Sequence, residues 1–125
     1  MAKVTEVVID SLHPAQLARF WGAVLDGYAV RHYSSAEIAK LRERGLSPET
    51  DPAVALDGPG PTWFFQQTQI AKTNRNRIHF DISGTARTEE TVRLKRLGAS
   101  VREIHDSYTV MQDPEGNEFC IQDTG

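Results

Sequence analysis

The chain has 125 residues, enough for one ordinary domain rather than two. At 39% hydrophobic and 25% charged it has a globular composition, which excludes disorder and fibre repeats. Fourteen basic against seventeen acidic residues leave a net charge of −3, and no apolar run nears the ~18 residues that cross a bilayer, so neither nucleic acid nor a membrane is expected as a partner. The opening MAKVTEVVID goes straight into alternation without an apolar leader, which predicts a cytoplasmic protein. Residues 3–11 read as a strand rich in β-branched side chains. Pro14 suits the first turn of a helix on which Leu17, Phe20, Trp21, Val24 and Leu25 recur at helical spacing, with Gly27 as its stop. A strand follows at 28–33, then a short helix over 36–44 capped by Ser35 and stopped by Gly45. That helix reads either as a surface insertion anchored by Ile38 and Leu41 or as a lid. After a Pro- and Gly-rich stretch interrupted by the short strand VAL, TWFFQQT is a strand. The basic loop AKTNRNR then leads into the strand IHFDIS. A helix over EETVRLKRL, capped by Thr88 and ended by Gly98, precedes three strands, ASVREI, SYTVMQ and NEFCIQ, the last two joined by the turn DPEG.

The two halves resemble each other. Helix, glycine and strand recur as G-Y-A-V-R at 27–31 and G-A-S-V-R at 98–102, and the turn DGPG at 57–60 parallels DPEG at 113–116. Aligning those turns without a gap sets Trp63 against Phe119, Phe65 against Ile121 and Gln66 against Gln122. Each half is therefore strand–helix–strand–strand–strand, module one over about 3–68 and module two over about 77–123.

Strand alternation sorts side chains onto two faces. Val7 and Ile9 oppose Glu6, Val8 and Asp10; Ile78, Phe80 and Ile82 oppose His79, Asp81 and Ser83. Trp63 and Phe65 oppose Thr62, Phe64 and Gln66, while Phe119 and Ile121 oppose Glu118, Cys120 and Gln122. An antiparallel sheet covered on one side shows water such a polar face without any ligand. If the sheet curls, the polar faces instead line a cleft gathering Glu6, His79, Glu118 and Cys120, all residue types that bind divalent ions. Cys120 is the only cysteine, which excludes an internal disulfide. Lys72, Arg75 and Arg77 read first as a solvated loop and second as a means of steering an anion.

The D-P-E-G-N-E-F-C ending, the N-R-I-H-F-D-I opening of the second half and the P-x-x-L-A-x-F-W helix at 14–21 resemble the glyoxalase-like branch of the vicinal oxygen chelate superfamily. The resemblance implies an α+β fold of paired βαβββ modules, forming a curled mixed sheet around a cleft, and a homodimer. It leaves the reaction open, because that superfamily spans lyases, isomerases, dioxygenases and non-catalytic binders such as bleomycin-resistance proteins. Carried over residue by residue, its metal positions fall on Glu6 and His79 in the opening strands and on Cys120 in the last strand, where the family carries Glu. The fourth falls on Phe64, which cannot bind a metal. Glu118 or Gln66 could complete the set, with His79 and Glu118 as the candidate catalytic groups and Zn, Fe, Mn, Ni or Mg as the candidate ions. Three readings of function follow, one of them a structural or regulatory role in which the cleft is vestigial. In the favoured one the cleft binds a small aromatic or heterocyclic molecule through Trp63, Phe64, Gln66, Asp81, Tyr108 and Cys120, without a full metal site. In the other the chain is a metal-dependent lyase, isomerase or dioxygenase built on Glu6 and His79.

Overall fold

A computed structural model describes every residue except Thr85, Thr124 and Gly125, and the chain divides into two compact units, Met1–Ala71 and Lys72–Gly125. The first contains β1 (Glu6–Ser11), α1 (Pro14–Val24), β2 (Ala29–Val30), α2 (Ser35–Glu43), β3 (Ala53–Asp57) and β4 (Thr62–Gln67). Its sheet runs β1-β4-β3-β2, with β1 parallel to β4 and the remaining pairs antiparallel. Helix α1 starts with Pro14 in its first turn, where the missing N–H leaves no hydrogen bond unmade. It buries Leu17, Phe20, Trp21 and Val24. Trp21 meets Trp63 at 5.3 Å between rings, and Phe65, Leu56 and Val54 complete the core, each large side chain contributing roughly 2–3 kcal/mol by leaving water. The Tyr28 ring lies over the β3–β4 turn and donates to the Pro61 carbonyl at 2.9 Å. A methyl group on Gly58 would stand 2.4 Å from that ring. Gly58→Ala is therefore expected to destabilise the protein by about 2 kcal/mol, read as a lower urea midpoint with unchanged slope.

The second unit contains β5 (Phe80–Ser83), α3 (Arg87–Leu97), β6 (Ser100–Ile104), β7 (Tyr108–Gln112) and β8 (Glu118–Gln122), in the sheet order β5-β8-β7-β6. Strand β5 is parallel to β8 and the others antiparallel, as in the first unit. Leu94 of α3, Met111, Phe119 and Ile121 are fully buried and form the core. Arg87 donates to the carbonyls of His105 and Asp106, both at 2.6 Å, and so ties the start of α3 to the β6–β7 turn. The β7–β8 turn is held from inside by Asp113, whose Oδ1 accepts from the N–H groups of Glu115 and Asn117, each at 2.9 Å. Gly116 supplies the positive φ of +87° that this turn requires.

The chain is thus an α+β fold of two βαβββ modules with α2 added to the first. Register supports the repeat: Val7↔Trp63 and Ile9↔Phe65 match Phe80↔Phe119 and Ile82↔Ile121. The expected single curled sheet is replaced by two four-stranded sheets, because β1 and β5 each end a sheet, laddered on one side only. Strand β2 keeps two of the six expected residues. Strand β5 starts at Phe80, so Ile78, expected beside Phe80 and Ile82, is 76% exposed. The cap of α2 is Ser34 rather than Ser35, because the Ser34 hydroxyl accepts from the Glu37 N–H while the Glu37 carboxylate accepts from the Ser34 N–H, closing a capping box. Helix α3 starts one residue before Thr88, after Ala86, which makes no side-chain cap.

Candidate functional site

The two open sheet faces differ in chemistry. In the first unit Val8 pairs with Phe64, and Val8 is 54% exposed. At the matching register of the second unit Asp81 pairs with Cys120. The apolar pair of one module is thus a carboxylate and a thiol in the other. His79, two residues before Asp81, places its Nε2 3.2 Å from Asp81 Oδ1. One donor atom each from His79, Asp81 and Cys120 lies within 4.8 Å of the others. Burial and then the charge of Asp81 push the Cys120 thiol above its usual range, with Arg75 acting against them. In this setting the thiol stays protonated near neutrality, so it is no ready nucleophile.

Glu118, two residues along β8, has a side chain only 9% exposed. Its Oε1 accepts from Lys72 Nζ and from Arg102 Nη1, each at 3.0 Å, and its Oε2 from the Asn76 N–H at 3.1 Å. Burial works to raise its pKa, but the Asn76 and Lys72 hydrogen bonds outweigh that and hold it below the usual carboxylate range. Arg102 reaches Glu118 from a β-bulge, where the β6–β7 register shifts between Val101 and Glu103. Asn76 is fixed in turn: its Nδ2 donates to Asn117 Oδ1 at 3.2 Å, and Asn117 Nδ2 donates to Asp113 Oδ2 at 2.9 Å. Its own Oδ1 is buried and accepts no hydrogen bond from the described residues.

Asn76, Arg102 and Glu118 join the His79, Asp81 and Cys120 cluster in lining a pocket of about 350 Å³, within the usual range for small-molecule sites. Its wall includes His79, Asp81, Tyr108, Glu118 and Cys120, five of the residues the sequence singled out. The Tyr108 ring is stacked on His105 at 4.5 Å. Of the remaining candidates, Glu6, Trp63, Phe64 and Gln66 belong to the first unit. Trp63 is 7% exposed and packs between Trp21 and Tyr28, so it stands in the core and not on the open face. Glu6 and Gln66 are exposed on that open face, and Phe64 carries the Arg31 guanidinium 5.5 Å from its ring centre. Asn76, Arg102, Glu103 and Val110 were not singled out from the sequence, where Arg75 was read first as part of a solvated loop and second as a means of steering an anion. Strand parity carried the signal for Val110, which pairs with Cys120.

The donor set of the cluster, an imidazole nitrogen, a carboxylate oxygen and a thiol sulfur, fits a borderline ion such as zinc and does not suit magnesium. Among the described residues no helix is long and apolar enough to cross a membrane.

The sequence model of the Glyoxalase-like domain matches residues 6–122, and the chain belongs to that family. No curated protein matches. Solved structures with the same fold include the fosfomycin resistance protein FosX from Mesorhizobium loti, at 11% identity and a TM-score of 0.68, covering 100% of this chain and 94% of that one. A glyoxalase/bleomycin resistance protein/dioxygenase family enzyme from Burkholderia phytofirmans PsJN is similar at 17% identity and a TM-score of 0.63, with 96% and 97% covered. A possible glyoxalase from Bacillus cereus is similar at 9% identity and a TM-score of 0.65, with 98% and 99% covered. At such identities the likeness concerns the fold.

Proposed function

We propose that this chain binds a small polar molecule in the pocket of its second unit. The observation that carries the reading is the convergence of His79, Asp81, Tyr108 and Cys120 on one cavity, whose register counterpart in the first unit is the apolar pair Val8 and Phe64. A flat aromatic ligand would find only the Tyr108 ring and the His79 imidazole among the polar groups of this wall, so polar contacts dominate recognition. The test is a fragment mixture followed by ¹H–¹⁵N spectra. Shifts should gather on residues 75–81, 102–110 and 118–122 and vanish in Cys120→Phe, which gives the pocket the residue that the first unit carries. Shifts centred on the first unit would overturn the reading. A homodimer, implied by the family, belongs to the same proposal and is checked by the subunit mass.

A second reading rests on the donor cluster: His79, Asp81 and Cys120 hold a divalent ion of the zinc class, and the pocket supports lyase, isomerase or dioxygenase chemistry. Such an ion, when bound, supplies Lewis-acid polarisation of a ligand oxygen. Glu6, a ligand on the family pattern, belongs to the first unit, whereas this cluster draws on the second alone. Glu118, its carboxylate held by two cations and an N–H, positions the loop and the bulge in this reading and moves no proton.

A further inference from the structure

The pocket is uneven in charge. Lys72 and Arg102 share a single oxygen of Glu118, so one carboxylate answers two cations. Arg75, on the loop that Asn76 anchors to the same carboxylate, lines the pocket and makes no ion pair or hydrogen bond among the described residues. Around Glu118 the cations thus outnumber the carboxylate; Lys72 lies outside the pocket wall, and Arg75 is near enough to Cys120 for its charge to act on that thiol as well. The other end is acidic: Asp81 is engaged by His79, and Glu103 by His105 at 2.9 Å. The Glu118 and Cys120 positions are two residues apart on one strand face, about 7 Å.

Resting on the reading of this pocket as the ligand site, we propose that it selects a small organic anion, a carboxylate or a phosphate ester, whose charged group is held by Arg75 and Arg102. The donor geometry favours it. A guanidinium presents several N–H groups in a plane that matches two oxygens of one oxyanion, and Arg102 spends only Nη1 on Glu118. Arg102 is fixed by that bond, while Arg75 closes over the anion from the loop. The acidic end repels the anion and accepts a hydroxyl or amine from the rest of the molecule, so the ligand has one orientation.

The test titrates metal-free protein, labelled with ¹⁵N in arginine side chains, with inorganic phosphate, with acetate and with uncharged glycerol. Saturable shifts of the Arg75 and Arg102 Nε–H signals are expected with phosphate or acetate and not with glycerol. The tighter probe tells a phosphate ester from a carboxylate. Arg75→Ala should weaken anion binding about tenfold, as loss of a charge-assisted contact does. Arg77→Ala removes the same charge two residues away, outside the pocket wall, and should change binding by less than about twofold. Arg102→Lys, which keeps charge but loses the planar donor pair, should also weaken it. Equal losses in Arg75→Ala and Arg77→Ala would reduce the effect to the field of the loop and overturn the proposal. Pocket binding of fragments that is indifferent to charge would overturn it too, while leaving the pocket as the ligand site.

Discussion

Glu118→Ala is expected to destabilise the protein by about 3 kcal/mol, the upper part of the range for single substitutions. Removal of the carboxylate leaves Lys72, whose side chain is 20% exposed, and the Asn76 N–H without their acceptor. Arg102, 46% exposed, recovers part of its loss in water, which keeps the figure below that of a fully enclosed pair. The effect is pH-dependent with a definite sign. The folded pKa of Glu118 lies below that of the unfolded chain, so its stabilisation is fully present above the ordinary carboxylate pKa. It is lost as pH falls through the depressed folded value. Urea unfolding of wild type and Glu118→Gln should show a gap that is widest near neutrality and narrows toward low pH. A gap independent of pH would mean that the carboxylate charge contributes nothing.

Cys120→Ser is expected to lower cobalt or zinc affinity about a hundredfold or more, because the thiolate is the softest donor of the cluster and changes to outer partners alone already cost 10–100-fold. Since the thiol of the free protein is held protonated, binding must expel that proton, and affinity should rise with pH across the neutral range. Cobalt gives a direct reading: a thiolate-to-metal charge-transfer band in wild type, absent from Cys120→Ser. Asp81→Asn should weaken binding while keeping the band. Equal affinity in wild type and both variants would remove the metal from the account.

The module order, the parity of β1, β4 and β8 and the pairing of the two halves were legible because alternation and turn chemistry act locally. Parity also put Asp81, Glu118 and Cys120 on one face. Three features of the site were not legible, each for a non-local reason. Arg102 reaches Glu118 only because a bulge adds a residue to β6, and no local pattern in VREI marks it. Lys72 and Asn76 are drawn to Glu118 over 46 and 42 residues, so their loop looks solvated until the sheet supplies its partner. The length of β5 is set by its ladder to β8, which starts at Phe80, leaving Ile78 outside the strand that its composition suggested. Trp63 shows the converse: parity set it on the face opposite Phe64 and Gln66, yet it was also expected to bind the ligand in the cleft, and it packs in the core instead.

The central claim is that the second unit's pocket holds the ligand. Native mass spectrometry of untagged protein purified without chelator, run beside Cys120→Phe, tests it most directly. Wild-type subunits are expected to carry a non-covalent adduct, metal or organic, that the variant lacks, and the same spectrum reports the subunit number. A bare wild-type subunit, or an adduct that survives the substitution unchanged, would contradict it.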